Sequence, residues 1–334
     1  MAALLSIRRM FMDANTETIK AQPAKSNFGK GIALCLIATA SWGSLFPVMT
    51  EALRILDPFT FTTIRFVIAG GLFSLLLAWR EGKGAFSIKG QRVGLIWFLG
   101  SLGFAGFGLL VFIGQRMAGG QGALIASVMM ATQPMLSLLA NWAIHRVRPK
   151  PLSFCFLLLS FCGVLLVVTK GNLAEAASSS QHLVASGIIV GGALCWVLYT
   201  IGGTLYPSWS PYRYTALTTL FGLISIVIIN FTLLVTHGIS TPDWAQLERA
   251  VPYLLYTAVV PGFLGVLCWN LGVRIVTPVN GVLFMDVIPV SAFTLSALQG
   301  ILPVPAQVVG VVFTMSAIVL NNLYLRRNVS WRAY

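Results

Sequence analysis

A chain of 334 residues that is 57% hydrophobic and only 9% charged has too little polar surface to cover a water-soluble globule, so its solvent must be lipid. Its net charge of +13 would suit a nucleic-acid binder, but the lysines and arginines sit in short patches between long apolar runs and form no single basic face. That pattern points to a bilayer as partner and excludes nucleic acid.

In chain order, residues 1–28 carry Arg8, Arg9, Lys20 and Lys25 without a long apolar stretch, which predicts a cytoplasmic tail and no cleaved secretory signal. A hydrocarbon core about 30 Å thick needs roughly 20 apolar residues per helix. Ten such windows follow, near 31–50, 58–79, 93–113, 121–144, 151–169, 185–205, 211–236, 253–273, 278–298 and 305–325. They are continuously apolar, where barrel strands would alternate over about ten residues. Residues 326–334 form a second basic tail. The expected class is an all-α integral membrane protein of ten transmembrane helices.

Placing both termini in the cytoplasm puts 17 of the 22 Lys and Arg in the tails and inner loops and 4 (Arg54, Arg116, Lys170, Arg249) outside, with Arg65 left in a span. The bias of positive charge toward the cytoplasm selects this orientation. Five cysteines, Cys35, Cys155, Cys162, Cys195 and Cys268, all fall in apolar runs without metal-ligand or disulfide-framework spacing and read as buried packing residues.

Landmarks recur at a nearly fixed offset: Trp42 and Trp196, Pro58 and Pro211, Pro134 and Pro289, and Pro151 and Pro305 are separated by 153 to 155 residues. Duplication of a five-span unit accounts for this. The units are 29–170 (spans 1 to 5) and 183–325 (spans 6 to 10). Because five is odd, the second unit must enter from the opposite face, giving two inverted five-helix repeats with a substrate site expected near the midplane between them.

The segments "SWGSLFPVM", "DPFTFTTIRF", "GALIASVMMATQPMLSLL" and "CWNLGVRIVTPVNGVLFMDVIPVSA", with Pro151 and Gly163 in span 5, resemble the EamA-like family of the drug/metabolite transporter superfamily over residues 30 to 325. The resemblance implies a ten-span carrier of organic metabolites working by alternating access, without a cofactor and without catalysis, in a bacterial inner membrane. Two departures stand out. His145-Arg146 replaces an acidic residue followed by Arg, and Asp286 stands where the ninth span of such proteins often has Asn.

Of nine acidic residues, Asp286 alone falls inside a span, about eight residues or 12 Å deep. An intramembrane carboxyl is a functional-site hypothesis by default and could exchange protons, the candidate coupling ion; the competing reading is a structural carboxyl paired with Arg65. Arg65 lies about seven residues into span 2 and either faces the substrate or snorkels outward. Trp42 and Trp196 sit near the midplane, away from the interfacial belt where tryptophans concentrate. Phe46 is one turn from Trp42, Tyr199 is close to Trp196, and Gln133 stands beside the mid-span Pro134. Aromatics flanking a carboxylate suit ammonium or sulfonium groups. The expected solute is therefore a cationic or zwitterionic, amino-acid-like metabolite with Arg65 against its carboxylate, and S-adenosylmethionine is the specific candidate. Glycines 100, 103, 106, 108, 187, 191 and 192 read as close helix packing.

An integral-membrane transferase would need a cluster of chemistry-bearing groups, yet His145, His182 and His237 lie near span ends or in loops and no Gly-rich phosphate loop occurs. A channel would show rings of charged residues. A lipid or lipid-linked flippase on the same framework remains the alternative.

Overall fold

The computed structural model describes residues 28–145, 151–172, 180–276, 281, 284–285, 287–300 and 302–329. Helix is the regular structure throughout these residues, and no strand occurs among them. In chain order the helices are α1 (Phe28–Ala52), α2 (Pro58–Glu81) and α3 (Val93–Gly100), which continues through a π-helical stretch, Ser101–Gly106, into α4 (Phe107–Met117). Next come α5 (Gly122–Met130), α6 (Gln133–His145), α7 (Pro151–Thr169), α8 (Ser180–Gly202) and α9 (Pro211–Val235). A second π-helical stretch, Ala258–Gly265, joins α10 (Trp244–Thr257) to α11 (Val266–Val276), and α12 (Val287–Leu298) and α13 (Pro305–Val329) complete the set.

Six of these stretches are long and apolar enough to cross a membrane, and a seventh is added if α5 and α6, bent by 46° at a short break, count as one span. The ten expected spans also include α7, α12 and α13, whose apolar stretches are shorter. The bend falls just before Pro134, which sits in the first turn of α6, where a proline costs no helical hydrogen bond.

Helix starts are written locally. Asp57 caps α2 by accepting hydrogen bonds from the backbone N–H groups of Phe59 and Thr60, each 2.9 Å, ahead of Pro58 at the first helical position. At the corresponding place in the second half, Ser210 caps α9 by accepting from the Arg213 N–H at 3.0 Å, ahead of Pro211.

Helix α1 packs against α11 and α12, α8 packs against α4, α5 and α6, α2 lies along α9, and α7 lies along α13. The α7–α13 pair closes on glycine. A Cβ on Gly163 would stand 2.5 Å from the Gly310 carbonyl oxygen, and one on Gly310 would stand 2.5 Å from that of Gly163. Other glycines of the small-residue series behave unequally. A Cβ on Gly103 would strike the Tyr199 ring and one on Gly192 would strike Val111, whereas Gly187 has nothing within 4 Å.

The interior is aromatic, with Phe46, Phe61, Phe73, Phe104, Phe112, Tyr199 and Trp269 all buried, while Leu75, Ile228, Phe231, Phe161 and Leu323 point outward. An apolar exterior of this kind is stable only against lipid. It also corrects the reading of the cysteines. Cys35 is buried, but Cys195 and Cys268 are half-buried and Cys155 and Cys162 are exposed on α7. Continuous hydropathy cannot distinguish a lipid-facing side from a protein-facing one, because both are apolar.

Candidate functional site

A narrow cavity opens among α1, α2, α4, α5, α6, α8, α11 and α12, and Trp42, Phe46, Arg65, Gln133 and Trp196 are all in its wall. These are five of the seven residues expected at the site. Tyr199 stands behind the wall against Trp196, and Asp286 lies outside the described residues, two positions before Ile288, which does line the cavity.

Trp42 organises the centre. Its ring meets Trp196 edge to face at 5.3 Å and 83°, and it packs on Trp269 at 5.3 Å. Its indole Nε1 donates to the Pro261 carbonyl at 3.1 Å, which ties α1 to the second π-helical stretch. Trp196 packs in turn on Phe107 at 5.2 Å and on Tyr199 at 5.0 Å, but its own Nε1 is buried without a hydrogen-bond partner among the described residues. Offset aromatic pairs of this geometry contribute about 0.5–1.5 kcal/mol each beyond their buried area.

Tyr199 is held from three sides. It accepts a hydrogen bond from Asn270 Nδ2 at 3.0 Å, stacks on Tyr214 at 5.3 Å, and its carbonyl accepts from the Tyr214 hydroxyl at 2.8 Å. Phe46 is fixed through its backbone, because the Gln115 amide donates to its carbonyl at 2.6 Å and to Thr50 Oγ1 at 3.0 Å.

Arg65 is 2% exposed, so it does not snorkel. Its Nε donates to the Thr257 carbonyl at 3.0 Å and its guanidinium lies over the rings of Phe66 and Phe112. The residue four positions beyond Thr257 is Pro261, which has no N–H, so the i→i+4 bond of a regular α-helix cannot form there, and the carbonyl accepts from Arg65 beside a π-helical turn. Gly262 makes the approach possible. A Cβ there would stand 2.7 Å from the Thr257 oxygen and 3.4 Å from Arg65 Nε. Among the described residues Nη1 of Arg65 is buried without a hydrogen-bond partner, and the ion pair formed among them is Arg54 with Glu51, at a helix end. Among the described residues Gln133 gives Nε2 only to the Met130 sulfur, a weak acceptor at 3.3 Å, and its Oε1 is buried without a partner.

Trp269, Phe107, Met130 and Pro261 were missed by sequence reasoning. Pro261, a mid-span proline like Pro134, and Trp269, a Trp inside an apolar run like Trp42, had the available signal; Phe107 and Met130 are apolar residues in apolar runs and carry none.

The EamA-like transporter family model matches residues 29–169 and 184–323. An uncharacterized transporter of Bacillus subtilis (strain 168), YrdR, is 35% identical over 298 residues, which cover 89% of this chain and 92% of that one. A second from the same organism, YyaM, is 25% identical over 85% of this chain and 90% of its own length. A solved crystal structure matches 90% of this chain and 99% of its own chain at 17% identity with a TM-score of 0.65, a likeness of fold alone.

Proposed function

The chain belongs to the EamA-like transporter family, and from that premise we propose that it carries a small cationic or zwitterionic, amino-acid-like metabolite across the membrane by alternating access, with the cavity around Trp42 and Trp196 as the solute's path. The observation that carries this reading is the convergence of Trp42 and Trp196, one from each half of the chain, on a single cavity that also holds a buried cation. Substrate sites at the interface of two repeats are the rule for such carriers. The repeats are residues 29–170 and 183–325, inverted in the membrane, with both termini in the cytoplasm of a bacterial cell.

Trp42, Phe46, Arg65, Gln133, Trp196, Tyr199 and Asp286 are the proposed substrate-binding residues, with protons at Asp286 as coupling ions. Trp42, Trp196 and Trp269 are packed ring on ring, so a flat solute must part them, and parting α1 from α8 and α11 is the motion that alternating access requires. S-adenosylmethionine, with a sulfonium, an amino-acid head and a stackable adenine, is the specific candidate.

The test is counterflow in proteoliposomes against S-adenosylmethionine, amino acids, quaternary ammonium compounds and nucleoside derivatives. Saturable exchange of an organic cation or zwitterion is expected. Exchange restricted to multiply charged anions, or scrambling of lipid without solute exchange, would overturn the reading.

A further inference from the structure

We propose that Arg65, Trp196 and Gln133 form a dedicated carboxylate subsite in the cavity wall, so that the solute is recognised by its acid end as well as by its cationic or aromatic end; this rests on the cavity being the solute's path. Each of the three side chains lines the cavity, is more than nine-tenths buried, and keeps one polar atom without a hydrogen-bond partner among the described residues: Nη1 of Arg65, Nε1 of Trp196 and Oε1 of Gln133. Buried polar atoms are nearly always satisfied, so three orphans around one cavity point to a ligand that satisfies them when it binds.

The chemistry of the set selects the ligand. Arg65 Nη1 and Trp196 Nε1 are obligate donors, and the Gln133 amide, held only by a sulfur, can turn to offer its N–H₂ instead of its oxygen. Two fixed donors, one of them cationic, call for an anionic acceptor with two oxygens. A guanidinium fork matches a carboxylate better than it matches any neutral group. A multiply charged anion such as a phosphate monoester would need more positive charge than one guanidinium supplies, and a plain organic cation would be repelled by it.

Arg65 is preset for this work. With Nε spent on the Thr257 carbonyl and the guanidinium plane over Phe66 and Phe112, the side chain has a fixed orientation, and the part left over includes Nη1, which has no acceptor among the described residues. A charge this deeply desolvated is costly unless it is compensated, and one backbone carbonyl with two ring faces is incomplete compensation. A bound carboxylate completes it. Trp196 then acts through its N–H, a role distinct from an aromatic face for a cation.

Matched probes on the purified protein in proteoliposomes and nanodiscs test this directly: S-adenosylmethionine and its decarboxylated form, glycine betaine and choline, and L-tryptophan, L-methionine and L-lysine with their carboxamides. Binding is read by thermal shift and competition, transport by counterflow. A carboxylate-bearing member is expected to bind at least roughly ten-fold more tightly than its carboxylate-free partner, the scale of one hydrogen-bonded charge contact. The gap should close in Arg65→Gln, persist in reduced form in Arg65→Lys, and narrow in Trp196→Phe, which keeps an aromatic face and loses the donor. A carboxylate-free partner that binds as tightly as its acid, or a gap that survives unchanged in both Arg65→Gln and Trp196→Phe, would overturn the subsite while leaving transport through the cavity standing. If no acid and no carboxylate-free partner is bound or exchanged, the transport reading itself fails and the subsite with it.

Discussion

Trp42 and Trp196 do different jobs in spite of their equivalent places in the chain. The Trp42 N–H is spent on the Pro261 carbonyl, so only its ring can meet a solute, whereas Trp196 has its N–H in reserve. Cation–π contacts contribute about 0.5–2 kcal/mol each, so Trp42→Leu, which preserves apolar bulk and removes the ring, should weaken binding of a cationic solute roughly three- to thirty-fold in equilibrium binding to protein that still elutes as a folded species. Unchanged affinity in both Trp42→Leu and Trp196→Leu would dispose of the aromatic reading. Asp286→Asn separates chemistry from structure at the other candidate position, because Asn keeps hydrogen-bonding capacity and loses the proton. Counterflow by the parent should vary between about pH 5.5 and 8.5 and that of Asp286→Asn should be flatter at similar expression; superimposable profiles would make Asp286 a structural residue. The sequence supplied five of the cavity's polar and aromatic residues, because a Trp, Arg or Gln in the middle of an apolar run stands out. Trp269, a Trp inside the eighth apolar run, carried the same signal and was passed over, whereas Phe107, an apolar residue in an apolar run, carried none.

Both π-helical stretches interrupt a membrane-spanning helix at a point where the other half of the chain presses on it. Ser101–Gly106 receives the Tyr199 ring at Gly103 and Cys195 at Gly106, and Ala258–Gly265 receives the Trp42 indole and the Arg65 guanidinium. Such bulges cluster at functional sites because they present carbonyls sideways. Pro261→Ala supplies an N–H four residues beyond Thr257 and allows that turn to close as regular α-helix, in competition with Arg65. The expected outcome is a thermal midpoint at or above that of the parent, from removal of a mid-helix proline, together with several-fold slower counterflow, measured on the same preparation. Parent-like transport would mean that the Thr257–Arg65 bond has no part in the cycle. Neither π-helical stretch was legible beforehand, since one extra residue per turn leaves the apolar run unbroken. The starts of α2 and α9 were partly legible, because Asp57-Pro58 and Ser210-Pro211 combine a capping acceptor with a proline that fits only the first helical turn.

For the molecule as a whole, the helix pairings treat the two halves alike: α1 packs on α11 much as α8 packs on α4, while α2 pairs with α9 and α7 with α13, each with its own counterpart. Those pairings are what a twofold relation between repeats would produce, and duplication was readable from four landmark pairs before any contact was known. Sidedness is not written in helix packing at all; it comes from charge, with 17 Lys and Arg on one side of the expected topology and 4 on the other. Single cysteines at Ser87, Ser179 and Tyr334, in a background with its five native cysteines replaced, make that arrangement testable with an impermeant maleimide on intact and permeabilised cells. Ser87 follows α2 in a loop that carries Lys83, Lys89 and Arg92, and its carbonyl accepts from Arg213 at 2.6 Å, which joins it to the first turn of α9. It should label only after permeabilisation, as should Tyr334 beyond the basic end of the chain. Ser179 lies between the repeats, five spans from either terminus, and should label on intact cells. The odd number of spans per repeat is what forces the difference, so finding Ser179 and Tyr334 on the same face would require an even number of crossings in the second half and would remove the inversion on which a midplane site between the repeats depends.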